Sequence, residues 1–116
     1  MMKLILAIDF DDTIATNDRW PDIGPPKEGV REALTQLIQK FEIIVYTCRT
    51  NLTSDYRDYS IEQIESFMAE HDIPYDRLDL GLEGKVFADF YIDDKAIAFE
   101  DNWSEIVEGL SEGLSL

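Results

Sequence analysis

The run Leu4-Ile5-Leu6-Ala7-Ile8, followed at once by Asp9-Phe10-Asp11-Asp12-Thr13, constrains this chain more than any other feature. The apolar run is strand-length and shows no alternation between apolar and polar positions. A strand of that kind has both faces covered, as in a parallel sheet between layers of helix. It ends in acids, which are not core material, so the chain must have a use for charge at the carboxyl end of its first strand. In open α/β sheets that edge is where ligands bind.

The same alternation continues along the chain. The segment from Ala15 to Pro26 carries Asn17, Asp18, Pro21, Gly24, Pro25 and Pro26 and is expected to be an irregular loop. Val30, Leu34, Leu37 and Ile38 repeat at helical spacing and predict a helix over 27–39. Glu42–Tyr46 (EIIVY) predicts the second strand, running into Thr47-Cys48-Arg49, and Asn51–Ser60 reads as polar loop. Ile61, Ile64, Phe67 and Met68 predict a second helix that stops near His71-Asp72, before Ile73-Pro74. A brief strand is expected at Leu78–Leu80 and a stronger one at Ala88–Ile92 (ADFYI), ending in Asp93-Asp94. Ile97-Ala98-Phe99 suggests a further short strand, and Trp103–Leu110 a last helix. Strands alternating with helices predict an α/β fold: a three-layer, Rossmann-like parallel sheet with helices on both faces. With 116 residues and no linker or repeat, residues 1–116 are read as one domain.

Charge narrows the partners. Twenty-five acids against ten Lys and Arg give a net charge of −15. Such a field opposes long nucleic acids, whose binding draws on Lys and Arg at phosphates. Most of these acids are read as solvating surface. The single cysteine, Cys48, excludes an internal disulfide framework and is read as a small apolar filler. No segment has the regions of a signal peptide or the roughly 20 apolar residues of a bilayer span, so a soluble, cytoplasmic protein is expected, with no membrane partner.

Collected at the predicted strand ends are Asp9, Asp11 and Thr13, then Thr47 and Arg49, then Asp93 and Asp94, with Lys85 just before the last strong strand. Several carboxylates in one place repel one another unless a cation offsets them, and hard oxygen donors suit Mg²⁺. Two carboxylates two residues apart at a strand end can share a cleft while Phe10 between them points away. One can then act as a nucleophile and the other as a proton donor and acceptor.

The apolar strand followed by DFDDTI resembles the first motif of the haloacid dehalogenase superfamily. Thr47 at the end of EIIVYT resembles its second motif, Lys85 its third, and Asp93-Asp94 in YIDDKA its fourth. The four run in the family's order and span nearly the whole chain. The resemblance implies that Asp9 attacks phosphorus to form an aspartyl-phosphate, and that Asp11 protonates the leaving alcohol and then activates water. It implies that Thr47 hydrogen-bonds a phosphoryl oxygen and that Lys85 neutralises nucleophile and phosphate. Mg²⁺ would take a side-chain oxygen of Asp9, the backbone carbonyl of Asp11 and one carboxylate of the Asp93-Asp94 pair, Asp94 being favoured as the direct ligand. The nucleophile is common to phosphatases and dehalogenases of the superfamily; the second acid, Asp11, points to a phosphatase. Larger members carry cap domains. Here 33 residues separate Thr13 from Thr47 and 37 separate Thr47 from Lys85, which leaves no room for one, so the chain resembles a capless member. The 15–26 excursion is the small flap that remains, with Arg19 and Trp20 near the site.

Blander readings stand beside these. Asp12 is read as a solvated turn acid, Thr13 as support for the turn, Trp103 as packing and Asp101 as surface. His71 sits at a helix C-terminus, where a cation is favoured. Arg49 either holds a phosphate or pairs with surface acids. A phospho-accepting receiver domain uses similar groups, but its lysine follows its acids in the chain, whereas Lys85 precedes Asp93-Asp94. A catalytically silent metal- or partner-binding domain is the other alternative; loss of Asp11 or Lys85 would have favoured it, and both are present. An open site admits a large phosphorylated partner, or a lid supplied by a second copy in a homo-oligomer. A small phosphomonoester, such as a sugar phosphate or nucleotide, is the expected substrate.

Overall fold

A computed structural model describes residues 3–19, 22–50, 57–81, 86–93 and 101–113. Its elements are β1 (Leu4–Asp9), α1 (Val30–Leu37), β2 (Phe41–Tyr46), a 3₁₀ turn (Cys48–Thr50), α2 (Arg57–Glu70), β3 (Arg77–Leu78), β4 (Phe90–Ile92) and α3 (Trp103–Gly113). The strands form a four-stranded sheet in the order β3-β2-β1-β4. Every pairing is parallel, with Ile8 level with Val45 on β2 and with Ile92 on β4. The chain is thus a small parallel α/β domain of Rossmann-like architecture.

Both faces of β1 are buried, as its unbroken apolar run requires. Leu6 and Ile8 join Ile43, Val45 and Ile92 in the larger core, which also takes in residues from all three helices. Ala7 points the other way and packs with Ile44, Val86 and Ala88. Among the described residues, therefore, that second face is covered by extended chain before β4, not by the helices expected there. The reason lies in the connections. β1 to β2 and β2 to β3 step the same way across the sheet, so right-handed crossovers put α1 and α2 on one side. Among the described residues, Val86 and Ala88 of the link from β3 to β4 lie on the other.

The α1 helix is shorter than its periodicity suggests. Gly29 adopts φ 82°, in the left-handed region, and turns the chain into the helix at Val30. By contrast, α2 starts before its first strong apolar residue, inside the stretch read as loop. Ser60 is buried at one of its inward positions, and Arg57 Nε and Nη2 donate to the carbonyls of Thr50 and Leu80. Those bonds tie the start of α2 to the exits of β2 and β3.

Two aspartates fix strand register from outside the strands. The Asp76 carboxylate accepts from the Ile43 amide at 2.7 Å while its own amide donates to the Ile43 carbonyl. Asp89 does the same with Ile5. Each carboxylate stands in for a ladder carbonyl and begins a strand one residue later, which is why β3 starts at Arg77 and β4 at Phe90. The short strand expected at Ile97–Phe99 lies outside the described residues.

Candidate functional site

The site is built where β1, β2 and β4 end together. Asp9 closes β1 level with Tyr46 at the end of β2. Phe10 turns into the core, fully buried and edge-on to Phe67 with ring centroids 5.5 Å apart. Asp11 therefore emerges on the same side of the chain as Asp9, as the two-residue spacing predicts. Asp12 then takes φ 61°, a left-handed turn that aspartate tolerates, and its exposed carboxylate accepts from the Asn17 amide at 3.0 Å. Thr13 is buried and its carbonyl accepts from the Trp103 indole at 3.1 Å, so both act on the turn rather than on a ligand.

Asp11 is the most heavily held group of the cluster. Arg49 Nε lies 3.0 Å from each of its carboxylate oxygens, and Arg49 Nη2 lies 2.9 Å from Oδ1. Thr47 Oγ1 donates to Oδ2 at 3.3 Å and accepts from the Arg49 amide at 3.2 Å. The guanidinium is buried, its side chain 1% exposed against 16% for Asp11. Of the two readings of Arg49, pairing with an acid is what the structure shows. The acid is Asp11 within the site, not one of the surface acids. Side-on, multiply bonded Arg–carboxylate contacts of this kind fix orientation as well as charge.

Arg49 also holds the excursion between β1 and α1. Its Nη2 donates to the Asp22 carbonyl at 3.3 Å, and the Tyr59 hydroxyl donates to the Asp22 carboxylate at 3.4 Å. Backbone bonds from Thr16 to Pro25 and from Gly24 to Thr16 stitch the loop to itself. The flap is thus a tied structure seated on Arg49.

On the other side of Asp9, the Tyr46 hydroxyl donates to Asp93 Oδ2 at 2.5 Å. Tyr46 had no place in the sequence reading, which took it only as the last strand residue before Thr47. A tyrosine closing an apolar strand is the one signal available, and it does not distinguish packing from support. Lys85 and Asp94 lie outside the described residues, as does Trp20. Cys48 is exposed, not the apolar filler expected, because the 3₁₀ turn directs Arg49 and Thr50 inward instead. Asp101 is exposed and pairs with Lys27 at 3.3 Å, and His71 packs against Phe67 at the end of α2. Asp101 conforms to its surface reading, and His71 lies just past the last residue of α2, at the helix C-terminus expected for it.

For a divalent cation the donor chemistry fits. Asp9 and Asp93 follow the level pair Ile8 and Ile92 on adjacent strands, so two hard oxygen donors stand side by side at the sheet edge. Among the described residues, no three His, Cys, Asp or Glu side chains converge as a metal-binding group. Asp11 is committed to Arg49 and Thr47 through its carboxylate, which leaves its backbone carbonyl as the donor that the resemblance names.

The fold and this edge define a parallel α/β domain with an acid-lined carboxyl end. No known family matches the chain, and no curated protein does. Two solved structures are similar along almost the full length. A conserved protein of Bacteroides thetaiotaomicron superposes with a TM-score of 0.72 at 26% identity, covering 96% of this chain and 92% of that one. A protein from Vibrio cholerae gives a TM-score of 0.61 at 26% identity, over 98% of this chain and 99% of that one. Neither is described by an activity, so the likeness carries the fold. No helix among the described residues is long and apolar enough to cross a membrane.

Proposed function

We propose that the protein is a Mg²⁺-dependent phosphomonoester hydrolase of the capless haloacid dehalogenase type. The observation that carries this reading is the pairing at one sheet edge of Asp9 with an Asp11 carboxylate held by both Thr47 and Arg49. A reaction that uses two carboxylates in different roles gains from an acid–base group fixed in place beside the nucleophile. Phosphoryl transfer asks chiefly for such positioning and for charge neutralisation.

Asp9 attacks phosphorus in line with the leaving oxygen; the P–O bond to the alcohol breaks as the bond to Asp9 forms. Asp11, after taking up a proton from solvent at its exposed edge, gives that proton to the departing oxygen. In the second half Asp11 takes a proton from water, the water attacks the aspartyl-phosphate, and phosphate leaves with Asp9 regenerated. Thr47, whose hydroxyl donates to Asp11 in the absence of substrate, is assigned the hydrogen bond to a phosphoryl oxygen once substrate is bound, and Lys85 is assigned the neutralising role. Arg49 acts here as a positioning residue for Asp11 rather than as a phosphate ligand. Asp9, the Asp11 carbonyl and one carboxylate of the Asp93-Asp94 pair, with Asp94 favoured and Asp93 as its support, are the oxygens assigned to Mg²⁺. The ion, when bound, offsets the charge of carboxylates and phosphate. A small phosphomonoester suits an acidic chain with an open site, and the cytoplasm is its expected setting.

The test is phosphate release from an aryl phosphate with and without Mg²⁺, for wild type and Asp9→Asn. Metal-dependent turnover that disappears in the variant supports the reading; undiminished turnover in Asp9→Asn sinks it. A second reading, a metal- or partner-binding domain without turnover, is favoured by the same Arg49–Asp11 pair, since a carboxylate engaged by a buried guanidinium is also a structural element. Mg²⁺ uptake without hydrolysis of any phosphoester in a broad panel would select it.

A further inference from the structure

Tyr46 sits on β2, and Asp93 follows β4; β1 runs between them. Two interstrand spacings separate those strands, about 9.6 Å. Yet the Tyr46 hydroxyl reaches Asp93 Oδ2 at 2.5 Å. The phenol ring must therefore lie along the strand tips, across the end of β1, where Asp9 stands level with Tyr46. The residue before it on that face makes this possible. Ala7 is fully buried and small, and over it the rings of Tyr46 and Tyr91 meet edge to face, with centroids 6.2 Å apart. Tyr91 is fixed in turn: its hydroxyl donates to the Val86 carbonyl at 2.6 Å and accepts from the Ala88 amide at 3.2 Å. Tyr46 is thus braced by a ring that is itself anchored at its far end, and its hydroxyl is delivered to one oxygen of Asp93.

We propose that Tyr46 is a positioning residue for the candidate cation site, setting the orientation of the Asp93 carboxylate beside Asp9 and hence the site's affinity for a divalent cation. This rests on the reading of Asp9 and Asp93 as cation ligands or their support, but not on hydrolysis. Carboxylates that serve a metal are themselves hydrogen-bonded, and loss of such outer support costs about 10- to 100-fold in metal affinity. Without the hydroxyl the carboxylate loses that hold on its orientation beside Asp9.

The experiment is calorimetric titration of the metal-free protein with MgCl₂, for wild type, Tyr46→Phe, Asp93→Asn and the double variant, with melting followed for each. Tyr46→Phe is expected to bind Mg²⁺ at least about 10-fold more weakly. Adding it to Asp93→Asn is expected to change affinity little further, because the group it orients is already altered. Any turnover of Tyr46→Phe is expected to recover at high Mg²⁺ with KM for the phosphoester unchanged. Equal Mg²⁺ affinity in wild type and Tyr46→Phe, or losses that simply add in the double variant, would overturn the proposal. So would a wild type that takes up no Mg²⁺. If Tyr46→Phe fails to fold, the comparison moves to Tyr91→Phe, which loosens the brace but keeps the hydroxyl. Weakened Mg²⁺ binding there supports the proposal, and unchanged binding overturns it. Mg²⁺ affinity that depends on Tyr46 in a protein without phosphatase turnover leaves this inference standing while removing the hydrolase reading.

Discussion

Arg49 meets Asp11 side-on, with Nε 3.0 Å from both carboxylate oxygens and Nη2 2.9 Å from one of them, and the guanidinium is buried while the carboxylate keeps an edge toward solvent. The asymmetry decides which partner the fold can spare. Asp11→Ala strands a buried cation, and loss of one partner from a buried pair costs about 3–5 kcal/mol. Arg49→Met removes the cation and fills its volume, so it is expected to cost clearly less stability. The double variant should be more stable than Asp11→Ala alone. Urea denaturation of the three variants checks this order; Asp11→Ala as stable as wild type would contradict it. Turnover is expected to vanish in Asp11→Ala and to fall sharply in Arg49→Met, where Asp11 loses its orientation.

The flap offers a test that substitutes no charged residue. A Cβ built on Gly24 would stand 2.3 Å from the Thr16 carbonyl oxygen and 2.6 Å from Asp18 Oδ1. The aspartate side chain can move, but the carbonyl belongs to the stitched loop and accepts from the Gly24 amide at 3.2 Å. Gly24→Ala is therefore expected to cost about 1–3 kcal/mol, the range for overpacking a tight site. Because Asp22 in that loop rests on Arg49, the displacement should also lower turnover. A melting temperature and a rate both equal to wild type would show that the flap yields without consequence.

Trp103 joins the last helix to the first turn of the site. Its indole is 2% exposed and donates to the Thr13 carbonyl at 3.1 Å, two residues beyond Asp11. Trp103→Phe keeps an aromatic ring but leaves that carbonyl without its donor, a loss of about 1–3 kcal/mol for a buried group. Chemical denaturation measures it, and a cost near zero would mean that water or a rearranged turn replaces the indole.

Much of this architecture is legible in the sequence because it follows from local pattern. The run Leu4–Ile8 can hardly be anything but a doubly covered strand, and the Asp9–Asp11 spacing around Phe10 fixes which side chains share the edge. What escapes the sequence is set by distant partners. The start of α2 depends on Arg57 reaching the carbonyls of Thr50 and Leu80, and nothing in a polar stretch announces those bonds. The beginnings of β3 and β4 depend on Asp76 and Asp89 pairing with Ile43 and Ile5. In the site, Arg49 beside Thr47 is visible as a cation but not as the partner of an acid 38 residues earlier. Tyr46 is still less visible, since its role requires knowing that β4 lies beyond β1 and that Ala7 leaves space for the ring.

The alkaline limb of stability should carry the mark of Tyr75. Its half-buried phenol packs against the main core, and burial, with Glu65 nearby adding a second negative charge, pushes its pKa up from the ordinary value of 10.0. A raised pKa in the folded state means that the folded protein holds this proton more tightly than the unfolded chain does. The stabilisation is complete below the unfolded value of about 10 and is lost as pH rises through it toward the folded value. Denaturation midpoints measured from pH 8 to about 11.5 should therefore fall more steeply for wild type than for Tyr75→Phe, which has no proton to lose. Near neutral pH the two should differ only by the small effect of the missing hydroxyl. Parallel curves across the alkaline range would place the loss of stability elsewhere, in the lysines or in the other tyrosines.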